Sequence, residues 1–230
     1  MIRSFSRQRQ MYGVLALAFV FPVVSSFLVF SGLLHPGPAS RGRLVFKIVY
    51  EVTSLSALAY VLSSQKRRFT SIGLSFTLRF SDLLHSILLF FGALLGNAVC
   101  FIVLTVFTYW LVGNLPKRTD VRSALFGGSV TLLTFLFTFV NPFFEELLVR
   151  AFLITEVEAI FASTNLAAVV SIVVQTTYHL YQGIRSALAL SSCFTLFTWY
   201  YVRKRRILPV ILAHLYMDTA AVLLYARSLK

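Results

Sequence analysis

The chain has 230 residues, of which 58% are hydrophobic and only 13% are charged. Soluble domains carry about 25% charged residues, so this composition excludes a soluble globular domain and predicts an integral membrane protein. The net charge is +13, but the 21 Lys and Arg residues stand mainly between apolar runs, which favours lipid headgroups over nucleic acid as partners. Only eight carboxylates are present, so each one inside an apolar run needs an explanation.

The first two apolar stretches are each long enough to cross a bilayer, which takes about 20 residues. Residues 11–34 form the first, which ends at a Pro- and Gly-rich turn containing His35, to which we assign no role. Residues 44–63 form the second. It contains Lys47 and Glu51, which are one helical turn apart and are expected to form a structural or interfacial pair.

Two further segments complete the N-terminal half. Residues 67–80 place apolar side chains at helical spacing among polar ones, which predicts an amphipathic segment on the membrane surface. Residues 83–116 contain no Asp, Glu, Lys or Arg and exceed the length of one upright span. They predict a tilted helix, or a helix broken near Gly92, Gly96 or Gly113.

The C-terminal half predicts several more helices. One is expected to begin at Pro142, because proline is favoured in the first turn of a helix, and to end before a break at residues 162–165. Residues 123–161 are either two spans or one helix kinked at Pro142, so the total is seven or eight spans. The remaining helices are predicted to end near residue 181 and to cover residues 185–202 and 207–225. The positive-inside rule gives no orientation.

Carboxylates and imidazoles recur on these C-terminal helices. Glu146 precedes Arg150 by four residues, the spacing and order that favour an ion pair on one helix face. Glu145 points about 100° away from Glu146 and has no such partner. His214 and Asp218 are also one turn apart and share a face of the last helix.

The cost of these groups in a bilayer favours a shared site. Each ionised side chain at bilayer depth costs about 3 kcal/mol, and clustering in one hydrated pocket removes most of that cost. His179 is the titratable group of the intervening helix and joins the cluster. Each motif alone has a structural interpretation, as an ion pair or a packing hydrogen bond. Their occurrence together favours a functional site.

Three motifs in this order resemble the CPBP family of intramembrane proteases, also called the Abi or type II CAAX prenyl endopeptidase family. They are Glu-Glu-x-x-x-Arg from residue 145, His-Leu-Tyr-Gln-Gly from residue 179 and His-x-x-x-Asp from residue 214. The resemblance covers about residues 123–225. It implies an N-terminal set of helices with the surface segment over residues 1–120 and a catalytic core over residues 121–230.

The resemblance implies an endopeptidase that cleaves a membrane-associated or prenylated substrate. In this family the first Glu and the His of the second motif activate a water, which implies that role for Glu145 and His179. The third motif is assigned to stabilising the oxyanion, which implies that role for His214 and Asp218. No cofactor and no metal ion are expected.

The remaining motif positions, Glu146 and Arg150, are expected to hold the site together. Two positions depart from the family pattern. Gln175 stands where Phe is usual, which would put a polar group beside the proposed water. Asp218 stands where eukaryotic prenyl endopeptidases carry Asn. An ionised Asp cannot donate to an oxyanion, so Asp218 is either protonated or orients His214, and we favour the second.

Other chemistries and functions were compared with this interpretation. Serine chemistry of the rhomboid kind is disfavoured because no Gly-x-Ser-Gly occurs, and site-2 zinc chemistry because no His-Glu-x-x-His occurs. A zinc site built from Glu145, His179 and His214 stays open, since two His and a carboxylate are a known ligand set. The alternative function is a non-proteolytic transporter or immunity-type binding protein. A multi-pass protein of the cell membrane is predicted.

Overall fold

The computed structural model describes residues 2–35, 40–114 and 129–229, and over these residues the chain is helical without strands. The helices are α1 (Ile2–Phe30), α2 (Arg41–Ser64), α3 (Phe80–Val112), α4 (Leu132–Phe144), α5 (Leu153–Phe161), α6 (Thr164–Tyr178), α7 (Ile184–Lys204) and α8 (Leu208–Ser228). Two 3-10 turns, Phe69–Ile72 and Leu180–Gln182, and a π-helical segment, Glu145–Phe152, complete the secondary structure. The predicted all-α fold is confirmed.

Five helices within the described residues are long and apolar enough to cross a membrane. They are Gln8–Phe30, Arg41–Ser64, Phe80–Val112, Leu132–Phe161 and Leu208–Ser228. A multi-pass integral membrane bundle is therefore confirmed, while seven to eight spans stays a prediction. Residues 36–38 of the Pro- and Gly-rich turn that begins at His35, and the division at 120/121, lie outside the described residues.

Helix α3 is unbroken, so the prediction of a break at Gly92 or Gly96 is wrong. These glycines lie where α3 packs on α7: a Cβ on Gly92 would be 3.0 Å from Leu196, and one on Gly96 would be 3.4 Å from Ser192. The helix ends at Gly113, which has a φ of 70°. Its 33 residues are about 50 Å long against a hydrocarbon core of about 30 Å, so tilt is the remaining interpretation.

Pro142 lies inside a helix, so the prediction that a helix begins there is wrong. One continuous helical rod runs from Leu132 to Phe161, with α-geometry at both ends and the π-segment between them. Neighbouring helices allow a membrane helix to tolerate proline, because they satisfy backbone groups that proline leaves free. The predicted break at 162–165 is confirmed: Ala162 is left-handed, and the Ser163 side chain caps α6.

The segment at 67–80 forms only the 3-10 turn Phe69–Ile72, so the helical periodicity seen in the sequence does not produce a helix. Ile72 and Leu74 are buried in the core. The Ile207 amide donates a hydrogen bond to the Gly73 carbonyl over 3.0 Å. The segment is therefore tied to the start of α8, and its placement on the membrane surface stays a prediction.

The π-segment lies at the centre of the bundle, and all eight of its residues are buried. It contacts α1, α2 and α6, while α4 packs against α2 and α8, and α3 packs against α7 and α8. A wider helical turn leaves carbonyls that need donors, and the Ser171 hydroxyl on α6 donates to the Val149 carbonyl over 2.7 Å. The segment that carries the first motif is thus fixed by its neighbours.

Candidate active site

A fully buried ion pair forms the foundation of the site. Arg150 and Glu146, four residues apart in the π-segment, are in direct contact, with 0% and 1% of their side chains exposed. The predicted pair is therefore confirmed. Arg150 also donates from Nε to the Thr198 hydroxyl over 3.1 Å and from Nη2 to Gln175 Oε1 over 2.5 Å. These partners reduce the cost of burying a guanidinium in the middle of the bundle.

Glu146 connects this pair to α8. Its Oε1 lies 2.8 Å from Nδ1 of His214, and because a carboxylate accepts, Nδ1 carries a hydrogen. His214 Nε2 is 4.0 Å from Glu145 Oε2 and 3.7 Å from Asp218 Oδ1. These two gaps are too wide for direct hydrogen bonds and are of the size that a water bridges. Asp218 also accepts from the Asn141 amide over 3.4 Å.

His179 ends α6 as its C-terminal cap. Its Nδ1 lies 2.8 Å from the Gln175 carbonyl. A carbonyl only accepts, so the hydrogen is on Nδ1 and the Nε2 lone pair is available when the ring is neutral. The ring packs 5.0 Å from Phe194 and 6.1 Å from Tyr181, between centroids. Backbone and aromatic contacts therefore fix both the tautomer and the orientation.

A cavity of about 470 Å³ lies between α1, α2, α4, the end of α6 and α8, a size typical of small-ligand pockets. Four of the predicted site residues, Glu145, His179, His214 and Asp218, line it. Glu146 and Arg150 do not line the cavity. They lie behind its wall, where they hold His214. The structure thus brings all six predicted residues together in two layers.

The prediction for Gln175 is wrong in its placement. Gln175 is fully buried and is not part of the cavity lining. Its amide oxygen accepts from Arg150, and its backbone carbonyl accepts from His179. The polar side chain therefore supports the buried guanidinium instead of facing the proposed water.

Lys47 and Glu51 belong to the cavity, which the sequence analysis missed. Both line it, and no ion pair joins them within the described part of the chain. The Lys47 ammonium lies 4.9 Å above the ring of Phe137. Glu51 is 5% exposed, and its Oε2 has no hydrogen-bond partner among the described atoms. Glu51 is also a carboxylate inside an apolar run, so the argument that pointed to Glu145 and Asp218 applies to it as well.

Two other cavity residues were not predicted. The buried Tyr178 hydroxyl interacts electrostatically with Glu145 but lies outside hydrogen-bond geometry, and Tyr178 lines the cavity beside His179. His35, to which the sequence gave no role, also lines it. Among residues 2–35, 40–114 and 129–229, no three His, Cys, Asp or Glu side chains are grouped so that they could hold a metal ion.

Comparison with known proteins agrees with the motifs. Residues 127–220 match the family model described as Type II CAAX prenyl endopeptidase Rce1-like. This range includes every predicted site residue and excludes α1, α2 and α3. No curated protein and no solved structure matches the chain. The resemblance found in the sequence is therefore confirmed for the C-terminal part.

Proposed function

We propose that this integral membrane protein, whose residues 127–220 belong to the Rce1-like family of type II CAAX prenyl endopeptidases, cleaves a peptide bond with a water activated by Glu145 and His179. The substrate is a membrane-associated peptide or protein, prenylated in the simplest case. The family supports protease activity in general. The observations below support this particular mechanism.

The first observation is the unequal treatment of two adjacent carboxylates. Glu146 faces Arg150 and His214, whereas Glu145 lines the cavity and its Oε2 has no hydrogen-bond partner among the described atoms. Both oxygens of Glu146 are occupied, Oε2 by the Arg150 guanidinium and Oε1 by the His214 ring. Glu145 is the one available to accept a proton, and this contrast carries the proposal.

In the proposed reaction the water lies between Glu145 and His179. Glu145 takes one proton as the water oxygen attacks the substrate carbonyl carbon, and His179 Nε2 accepts the hydrogen bond that orients the water. His179 can do this because its Nδ1 hydrogen is committed to the Gln175 carbonyl. Charge then develops on the carbonyl oxygen.

His214 is the proposed donor to that oxyanion. Its Nδ1 is held by Glu146, so its Nε2 is the nitrogen that faces the cavity. Donation from Nε2 needs a hydrogen on both ring nitrogens, and the carboxylates of Asp218 and Glu145 face Nε2 at 3.7 Å and 4.0 Å. Asp218 thus acts through His214. Loss of one oxyanion donor typically lowers kcat by about 10²-fold to 10³-fold.

The test compares Glu145→Gln with Glu158→Gln, which removes a carboxylate far from the cavity. Each variant is reconstituted in liposomes with a fluorescent peptide that ends in S-farnesyl-Cys-Val-Val-Ser. Glu145→Gln is expected to lower kcat by about 10²-fold to 10⁴-fold without a change in melting temperature, while Glu158→Gln retains activity. Equal cleavage by Glu145→Gln and wild type would refute the mechanism. If the wild type leaves every peptide intact, the transporter or immunity-type alternative is favoured.

Independence from metal ions is part of the proposal, because Glu145 and His179 supply the base and His214 supplies the electrophile. Treatment with 1,10-phenanthroline is expected to leave cleavage unchanged. Loss of activity that added Zn²⁺ restores would instead support a zinc site at Glu145, His179 and His214.

A further inference from the structure

One stripe of helix α2 faces the cavity opposite the family motifs. Lys47 and Glu51 are separated by one helical turn, about 6 Å along the axis, and both line the cavity with Glu145, His214 and Asp218. α2 lies outside the segment that matches the family, so the family motifs say nothing about this wall. The question is what the wall binds.

Glu51 is almost completely buried among charged groups of both signs. It interacts electrostatically with the carboxylates of Glu145 and Asp218 and with Lys47 and His214. Its Oε2 has no hydrogen-bond partner among the described atoms, and a protonated carboxyl group could donate from this atom. Glu51 is therefore suited to donate a proton into the cavity.

Lys47 carries the opposite charge and lies one helical turn nearer the start of α2. Its ammonium packs over the Phe137 ring instead of pairing with Glu51. Leaving a cation in an apolar wall is costly, and an anion entering the cavity would offset that cost. Along α2, the cavity therefore has carboxyl groups near Glu145 and an ammonium group one helical turn further on.

We propose that this α2 wall binds the departing C-terminal fragment of the substrate, with Lys47 pairing to its free α-carboxylate and Glu51 protonating its new amine. The proposal rests on the function proposed above. An extended peptide spans about 3.5 Å per residue. With the reach of the two side chains, the spacing fits a fragment of about two or three residues.

The proton and bond changes are balanced. The water oxygen bonds to the carbonyl carbon, and its proton passes to Glu145. The C–N bond then breaks, and the departing nitrogen takes the proton of Glu51. Glu51 is left as a carboxylate beside the new amine, and the second hydrogen of the water stays on the new carboxyl group. Transfer of the proton from Glu145 to Glu51 then restores both side chains. No oxidant, reductant or other co-reactant is needed.

The experiment uses the full-length protein in liposomes and three forms of the farnesylated peptide described above: the free acid, the C-terminal amide, and an ester replacing the scissile amide. Wild type is expected to cleave the acid with a kcat/KM about 10-fold to 100-fold above that of the C-terminal amide, because a hydrogen bond between charged groups is lost in the amide. In Lys47→Met this preference is expected to disappear, because the KM for the free acid rises to that for the C-terminal amide. Lys204→Met, on the exposed end of α7, keeps it.

The ester separates the role of Glu51 from a structural one. An alkoxide leaving group needs less proton donation than an amine, so Glu51→Gln is expected to lower kcat for the peptide about 100-fold and for the ester only several-fold. Glu145→Gln should impair both. Melting temperatures are measured for all variants, so that a misfolded variant is recognised.

Two results would overturn the inference and leave the proposed function intact. One is equal cleavage of the acid and the amide by wild type. The other is that Lys47→Met slows both of these peptides equally, as expected if Lys47 holds a lipid phosphate. Equal loss of ester and peptide hydrolysis in Glu51→Gln would overturn the proton-donor role. A wild type that cleaves none of the three refutes the proposed function itself.

Discussion

Carboxylates occupy two regions of this bundle, and the regions differ in the cations that face them. At the helix ends, three carboxylates, one at the start of α3 and two on α5, each contact an arginine that follows α2 or α7. The pairs are Asp82 with Arg206, Glu156 with Arg67, and Glu158 with Arg205. In the cavity, Glu51, Glu145 and Asp218 form no ion pair with Lys or Arg in the described part of the chain. In the described part of the chain, arginine therefore pairs with the carboxylates at the helix ends and not with those that we propose to react.

Glu146 shares features with the carboxylates of both regions. It is paired with Arg150 like the end carboxylates, yet it also holds His214 in the cavity wall. It thus links the buried ion pair to a side chain that lines the cavity.

Arg150→Met is expected to be the most damaging change. It leaves the Glu146 carboxylate buried without its cation, and breaking a buried pair in this way costs about 3–5 kcal/mol. Denaturation of the detergent-solubilised protein should show this loss. The double variant Arg150→Met with Glu146→Gln should recover part of it. A single variant as stable as wild type would mean that the pair contributes little.

Asp82→Asn tests the end region. Asp82 is 1% exposed, contacts Arg206 over 2.5 Å and accepts from the Arg79 amide over 2.8 Å. Its loss is expected to cost about 1–3 kcal/mol of stability, while kcat of the folded fraction stays at the wild-type value. A lowered kcat with normal melting would show that the end carboxylates also act in catalysis.

Asp218→Asn tests the cavity, where we expect activity to fall while stability stays unchanged. Asparagine retains the shape and one hydrogen-bonding oxygen but removes the negative charge that lies 3.7 Å from His214 Nε2. We expect kcat to fall about 10-fold, with an unchanged melting temperature. Wild-type activity would show that the charge is unnecessary, and a much larger loss would point to direct participation of Asp218.

Glu158→Gln should have the smallest effect. Arg205 contacts Glu158 over 2.7 Å, but the two side chains are 42% and 28% exposed. Pairs accessible to water contribute at most about 1 kcal/mol and weaken with salt. Melting in low and high salt should show a small difference that disappears as ionic strength rises.

Local chemistry explains which features were predictable. The ion pair of Glu146 and Arg150 follows from four-residue spacing on one helix, and the helix end at Gly113 follows from a residue that tolerates positive φ. His214 and Asp218 were placed together for the same reason. Each of these depends on a few neighbouring residues, so a single sequence contains the necessary information.

Contacts between distant segments explain what was missed. Pro142 was expected to start a helix, but packing against neighbouring helices carries the rod through it into the π-segment. Gln175 was expected in the cavity, but Arg150, 25 residues earlier, draws it behind the wall. Lys47 and Glu51 have helical spacing that suggests an ion pair, yet the Lys47 ammonium packs over the Phe137 ring of α4 and attracts Glu51 without an ion-pair contact. None of these outcomes follows from residues adjacent in sequence.

Composition and short spacings are enough to predict the membrane environment, the all-α class and the residues of the family motifs. The two layers of the site, with Arg150 and Glu146 behind and the cavity-lining groups in front, depend on tertiary packing. Tertiary packing also places α2 along the cavity. The reason is physical: the environment of a charged side chain is set by what packs around it, and here those partners come from five different helices.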